Sequence, residues 1–318
     1  MDWSATGVAM VAARAIHFAA TAVIVGTLVF RTNIAKAALR SKENVAIPFW
    51  TQTLHLLWAC LAVGVISGLV WLLLQAVSMS GLPFGEAVSA DVLSTVLNET
   101  QFGRLMEVRA GLAVALAACL AFDRAALAEW LALAAGLGLA ASLAWTGHAG
   151  STLGAMGDVH LAADALHLIA AATWIGGLVS LVLFFAAARN QATAWAPVAG
   201  DAAERFSILG MVSVATLSVT GIVNAWILVG SFRGLFTTEY GRVLMLKLGI
   251  FAAMLAVAAI NRFYLMPRLA LPSATGVQSD SLRQLTRNSV IEIALGLTIL
   301  AIVGMLGMMH PAVHLVST

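Results

Sequence analysis

Charge is what this sequence has least of. Seventeen basic and fifteen acidic side chains among 318 residues come to 10%, against roughly a quarter in soluble domains. So few charges cannot clothe a water-exposed surface, which excludes a soluble globular fold. Cysteine is almost absent as well. Cys60 and Cys119 are the only two, each inside an apolar run. That excludes a disulfide framework and any CxxC motif, and reads as small packing residues. There is no HExxH, no GxSxG elbow, no glycine loop to cradle a phosphate and no ATP-binding motif. Nucleophilic and hydrolytic catalysis have no carrier here, and an enzyme is not expected. A net charge of +2 implies no nucleic-acid partner.

What fills the chain instead is apolar. Such residues make up 61% and the mean hydropathy is +0.95. They fall into eight runs, 8–30, 52–75, 103–122, 127–147, 160–186, 206–229, 242–264 and 288–309, each near the ~20 residues that cross a hydrocarbon layer as a helix. No alternating ten-residue pattern suggests a barrel. The first run is long for a signal peptide and is preceded by Asp2 with no Lys or Arg, so it is expected to stay on the mature protein.

Basic residues are distributed unevenly. The 31–51 loop carries Arg31, Lys36, Arg40 and Lys42, and the 265–287 loop carries Arg268, Arg283 and Arg287. Arg124, Arg189 and Arg205 belong to the same face, whereas the 76–101 loop has Glu86, Asp91 and Glu99 without one Lys or Arg. The positive-inside rule makes the basic face cytoplasmic and puts both termini outside, in the periplasm of a bacterial cell. Within 76–101 a short surface helix is expected. The 265–287 segment, with Pro267 and Pro272, reads as a long cytoplasmic loop.

The chain also repeats itself. Residues 12–30 and 162–180 agree at nine of nineteen positions, including His17 with His167 and Gly26 with Gly176. Ser67-Gly68-Leu69-Val70 echoes Thr220-Gly221-Ile222-Val223, and Phe102-Gly103-Arg104 echoes Tyr240-Gly241-Arg242, with Arg109 and Lys247 five residues after each Arg. The fourth and eighth spans end in His148 and His310. These matches predict an all-α integral membrane protein of eight transmembrane helices. It divides into two parallel four-helix repeats, residues 1–150 and 151–318, related by an axis along the membrane normal.

The histidines gather on one side. His17, His148, His160, His167, His310 and His314 fall at the outer end of their spans, and only His55 lies toward the basic end. An ionisable group inside a membrane run reads as functional by default, and histidine clusters suit a metal or haem. His160, Asp164 and His167 share one helical stripe, and Arg14 and His17 form its equivalent. An Arg14–Asp164 charge pair is expected to orient the histidines. Met305, Met308 and Met309 share a face beside His310, and thioether with imidazole favours Cu(I). The expected metal ligands are His17, His148, His167, His310, Met308 and Met309, with Asp164 in support. His160, His314 and His55 read as interfacial residues. Cys60, Cys119 and His55 are the only soft or imidazole groups deeper in, the candidates for an exit.

RAIH at 14–17, TGHAG at 146–150, DALHLIAAATWIGGL at 164–178 and EYGRVLMLK at 239–247 together resemble the copper resistance protein D (CopD) family, and the resemblance covers essentially the whole chain. It implies a bacterial inner-membrane protein that moves copper, most often toward the cytoplasm, supplied by a separate CopC-like periplasmic donor. No soluble copper-binding domain is expected at either end of this sequence. The residues themselves leave a second reading open. His17 with His148, and His167 with His310, can each bracket a haem b in an electron carrier or membrane oxidoreductase.

Overall fold

A computed structural model describes residues 5–39, 43–123, 125–189, 196–269 and 275–316, and among them every regular element is helical. Asp2, Arg40, Lys42, Arg124 and Pro272 lie outside the described residues. Eight long helices make up the body: α1 (Ala5–Phe30), α2 (Glu43–Ser80), α3 (Gln101–Ala121), α4 (Ala126–Ser142), α5 (Gly154–Arg189), α6 (Ala196–Val229), α7 (Glu239–Ile260) and α8 (Thr275–Leu306). They form because Ala, Leu, Val and Ile cover every side of the turn, so no face prefers water.

Seven stretches are long and apolar enough to cross a membrane: Ala5–Ala38, Ile47–Ser80, Ala126–Thr146, Gly154–Ala187, Pro197–Val229, Glu239–Leu269 and Asp280–Leu306. The chain is thus a helical integral membrane protein. The remaining predicted run, 103–122, forms α3, a helix of 21 residues that carries Arg104, Glu107 and Arg109. Several helices outrun their apolar cores. α2 begins at Glu43, α5 at Gly154 and α8 at Thr275, so the expected 265–287 loop is largely helix. A hydropathy run ends where polar residues begin, but a helix continues until its backbone is capped or broken. The expected surface helix in the 76–101 segment is present as Ala90–Glu99.

α1 and α5 form the centre, with α1 packing closely on α2 and α5 on α6. Their crossing falls at the repeated glycines. A methyl group on Gly26 would overlap the backbone of Gly176 and Gly177, and one on Gly176 would overlap Ala22. Only hydrogen side chains permit this approach. Outside the centre, α3 packs on α4 and α7 on α8, and α8 also crosses α1 as α4 crosses α5.

The second echoed motif is a helix start. Thr100 Oγ1 accepts from Gly103 N at 2.9 Å to cap α3, and Thr238 Oγ1 accepts from Gly241 N at 3.0 Å to cap α7. A side chain on Gly103 would strike the turn at Val96 and Leu97, and one on Gly241 the turn at Gly234 and Leu235.

The packing of residues 1–150 and 151–318 differs at one helix pair. α2 packs on α3, while α6 and α7 barely touch. Two cavities open in the gap.

Candidate functional site

His17 and His167 are held alike on one ring nitrogen. His17 Nδ1 lies 3.0 Å from the Gly64 carbonyl and 3.1 Å from Ser67 Oγ. His167 Nδ1 lies 3.0 Å from Thr220 Oγ1. Both hydroxyls spend their own hydrogen on their helix, Ser67 on Val63 O and Thr220 on Thr216 O, so each accepts from the imidazole. Gly68 and Gly221 face the two rings, at 3.2 and 3.5 Å from where a Cβ would stand to Cε1. The SGLV and TGIV echo is therefore a histidine holder, one residue to bond the ring and one to make room for it.

The other nitrogen separates the halves. Arg109 Nη2 lies 2.6 Å from His17 Nε2. A guanidinium only donates, so Nε2 accepts and its lone pair is taken. Arg109, 4% exposed, is fixed in turn by the Leu139 carbonyl at 2.6 Å and by Ser142 Oγ. Trp71 covers the remaining edge of His17 with ring centroids 5.6 Å apart. In the second half Lys247 occupies the position of Arg109, and His167 Nε2 has no protein partner among the described residues. Instead it faces a cavity of about 440 Å³.

This cavity opens at the end opposite the basic loops, and its polar wall includes Arg14, His148, His160, Asp164, Tyr240 and Lys247. The predicted stripe is real because α5 starts at Gly154, which puts His160, Asp164 and His167 on one helical face. His160 Nδ1 lies 2.9 Å from Thr152 Oγ1, whose hydrogen goes to the His148 carbonyl, so Nε2 of His160 stays free. His148 donates from Nε2 to the Leu306 carbonyl at 3.2 Å and keeps Nδ1. Three imidazoles thus line the cavity, each oriented through one nitrogen and open at the other, which is how metal-binding histidines are tuned. Burial holds the His148 imidazole below the usual histidine range. The Leu306 carbonyl opposes this, while Arg14, His314 and His310 add to it.

Among the described residues, no three His, Cys, Asp or Glu side chains converge closely enough to hold one metal ion together. His148, Asp164 and His167 share the cavity with His160, which the sequence reading set aside as interfacial. In fact His160 is 1% exposed. His17 lies behind Arg109. Met309 is buried beside Tyr240 and Leu306, Met308 is half-buried, and His310 is exposed at the end of α8. The expected Arg14–Asp164 ion pair does not form. Arg14 lies over Trp71 at 4.9 Å and Phe18 at 5.6 Å, and Asp164 takes a hydrogen bond of 3.0 Å from Asn224. Their helical register matches, but the crossing of α1 and α5 sends the two side chains to different neighbours. Cys60 and Cys119 pack among leucines of α2, α3 and α4 and line neither cavity, and His55 faces outward. The haem reading has no support: His17 offers no free nitrogen, and His310 is exposed while His167 is enclosed. Asn224 has no signal in the sequence, since an amide on an apolar helix carries no spacing of its own, and Tyr240 shows there only as part of an echoed string, not as a cavity residue.

Imidazole and thioether, the side chains grouped at one end of this helical membrane protein, are donor types that soft or borderline metal ions prefer. Two family models match. "Copper resistance protein D-like, N-terminal domain" covers residues 3–158 and "Copper resistance protein D" covers residues 200–306. Copper resistance protein D of Pseudomonas syringae pv. tomato is 30% identical over 262 residues, 80% of this chain and 83% of the relative. Copper transport protein CutJ of Bacillus subtilis (strain 168) is 29% identical over 254 residues, 78% of this chain and 45% of the relative. Inner membrane protein YebZ of Escherichia coli (strain K12) is 30% identical over 169 residues, 53% of this chain and 55% of the relative. The chain thus spans under half of CutJ and just over half of YebZ. No solved structure matches it. The chain belongs to the copper resistance protein D family, which puts its function in membrane copper handling.

Proposed function

We propose that the chain carries copper across the bacterial inner membrane, from periplasm toward cytoplasm, through its second half. α3 crosses with the other seven helices, so residues 1–150 and 151–318 form two parallel four-helix repeats with both termini periplasmic. The observation that carries this reading is the contrast between the duplicated histidines: His17 is closed by Arg109, while His167 keeps a free nitrogen on a cavity.

A periplasmic donor of the CopC type would deliver the ion at the outer end, where His310 is exposed and Met308 and Met309 precede it in the chain. His148, His160 and His167 would then pass it inward, and Asp164 would offset part of its charge. Imidazoles spread along a wall suit conduction better than a converged cage, because an ion held by all of them at once would not leave. His17, in this reading, braces the first repeat instead of binding copper.

The test compares His167→Ala, His148→Ala and His17→Ala in the full chain. Copper is measured on the detergent-purified protein, and copper uptake on vesicles containing it. The first two variants should lose most bound copper and uptake. His17→Ala should keep its copper while melting at a lower temperature. Wild-type copper occupancy in His167→Ala would refute the assignment.

A further inference from the structure

The second cavity lies at the basic end between α5, α6, α7 and α8, with a volume of about 330 Å³. Its wall is apolar except for a group around Glu292 and the Arg262–Ser207 pair. Glu292, 2% exposed, accepts at Oε1 from Asn261 Nδ2 at 2.7 Å. Asn261 is oriented from behind, because Asn288 Nδ2 donates to its Oδ1 at 2.8 Å. Asn261 therefore turns a donor, not an oxygen, toward the carboxyl. Glu292 Oε2 has no protein partner among the described residues. One turn away on the same face, Ser289 is 1% exposed, lines the cavity and leaves its hydroxyl unpartnered.

Arg262 is the other charged side chain in this wall, and it bonds Ser207 Oγ, not Glu292. α5 presents Trp174 and leucines, and α6 presents Ser207 and apolar residues, with nothing titratable from either. Asn261 opens a π-helical turn, Asn261–Leu265, a distortion that often marks functional positions in helices. Trp174 borders this cavity and the histidine-lined one alike, so its indole stands where the two come closest to sharing a wall.

A carboxylate at membrane depth without a cation beside it is costly to keep ionised. Carboxyl, one free hydroxyl and an amide donor are too few oxygens to cage a hard cation, which takes six or more. A proton needs only the carboxyl itself. We infer that Glu292 is a proton-carrying site in the inner cavity, and that proton and copper ion alternate there. When copper passes Trp174 into the inner cavity, the Glu292 carboxyl releases its proton outward, to water of the outer cavity, and the carboxylate offsets the ion's charge. When copper leaves on the basic side, a proton taken up from that side returns to Glu292. One Cu(I) moving one way against one proton moving the other leaves the net charge across the membrane unchanged. The exchange, unlike the carboxyl itself, rests on the copper-moving role proposed above.

Two measurements on the full chain test this, each on wild type and Glu292→Gln. Infrared difference spectra are recorded without copper while pH is varied. The wild type should show a protonated-carboxyl band that vanishes as pH rises, and the variant should lack that band. A wild-type spectrum in which no such band is removed by Glu292→Gln would overturn the proton site. The second measurement follows pH inside vesicles during copper addition. The wild type should move protons opposite to copper. Glu292→Gln should lose that pH change while keeping copper on the outer histidines, which also shows that it folds. Equal pH changes in both proteins, or copper uptake without any pH change, would overturn the exchange. Absence of copper uptake in the wild type would instead refute the transport role, and the infrared titration would still decide whether Glu292 carries a proton.

Discussion

At Nε2 the histidines at 17 and 167 differ through one neighbour. Arg109 reaches Nε2 of the first, and Lys247 leaves Nε2 of the second to the cavity. Lys247→Arg should carry the lock of the first half into the second. A planar donor there would engage His167 and weaken copper binding by roughly tenfold, in the range seen for changes around metal ligands, read by competition with a chromogenic copper chelator. His148 makes a pH prediction. Burial disfavours its charged form, and copper needs the neutral ring. As pH falls, protons should displace copper from the His148 position only below the ordinary histidine value of about 6.5. A copper-binding titration against pH checks it, and the acid limb attributable to His148 should be missing in His148→Gln.

At the scale of the helix, the repeat was legible in short strings, and the structure supplies their meaning. Ser67-Gly68 and Thr220-Gly221 hold the imidazoles, and Thr100 and Thr238 cap α3 and α7 with a glycine three residues on. Gly26 and Gly176 are the crossing of α1 and α5. Gly26→Leu should lower stability by at least ~2 kcal/mol, since overpacking at a fixed backbone contact has nowhere to relax. A lower apparent melting temperature of the purified variant would register it, and an unchanged one would contradict the crossing. Helix ends were less legible. α5 and α8 continue well past their apolar runs because hydropathy reports the solvent, not the hydrogen-bond ladder.

At the scale of the molecule, residues 1–150 are closely packed and residues 151–318 are open. At the basic end the first half is tied by Arg31 Nη2 to both oxygens of Asp123 at 2.7 and 2.8 Å and by Lys36 to Glu129. α2 and α3 are packed together there. In residues 151–318 α6 and α7 part around two cavities that both border Trp174. Blocking the outer cavity should therefore stop function without unfolding the protein. Ala225→Trp fills space on its wall and should abolish vesicle copper uptake while the protein elutes and melts like wild type. The same change at Ala113, which packs within the first half, should cost stability and leave no specific transport defect in the fraction that folds.

The sequence by itself determined the membrane, the helices, the matching strings at His17 and His167 and the end of the molecule where the histidines gather. These follow from composition and from periodicity along one chain, because apolar length and helical spacing are local properties. Only the tertiary structure decided which duplicated histidine is open, that His160 belongs with His148 and His167, that Arg14 and Asp164 do not meet, and that Glu292 stands over a cavity. Those outcomes depend on how helices far apart in sequence cross, and a donor arriving from another helix leaves no mark on the residue it silences.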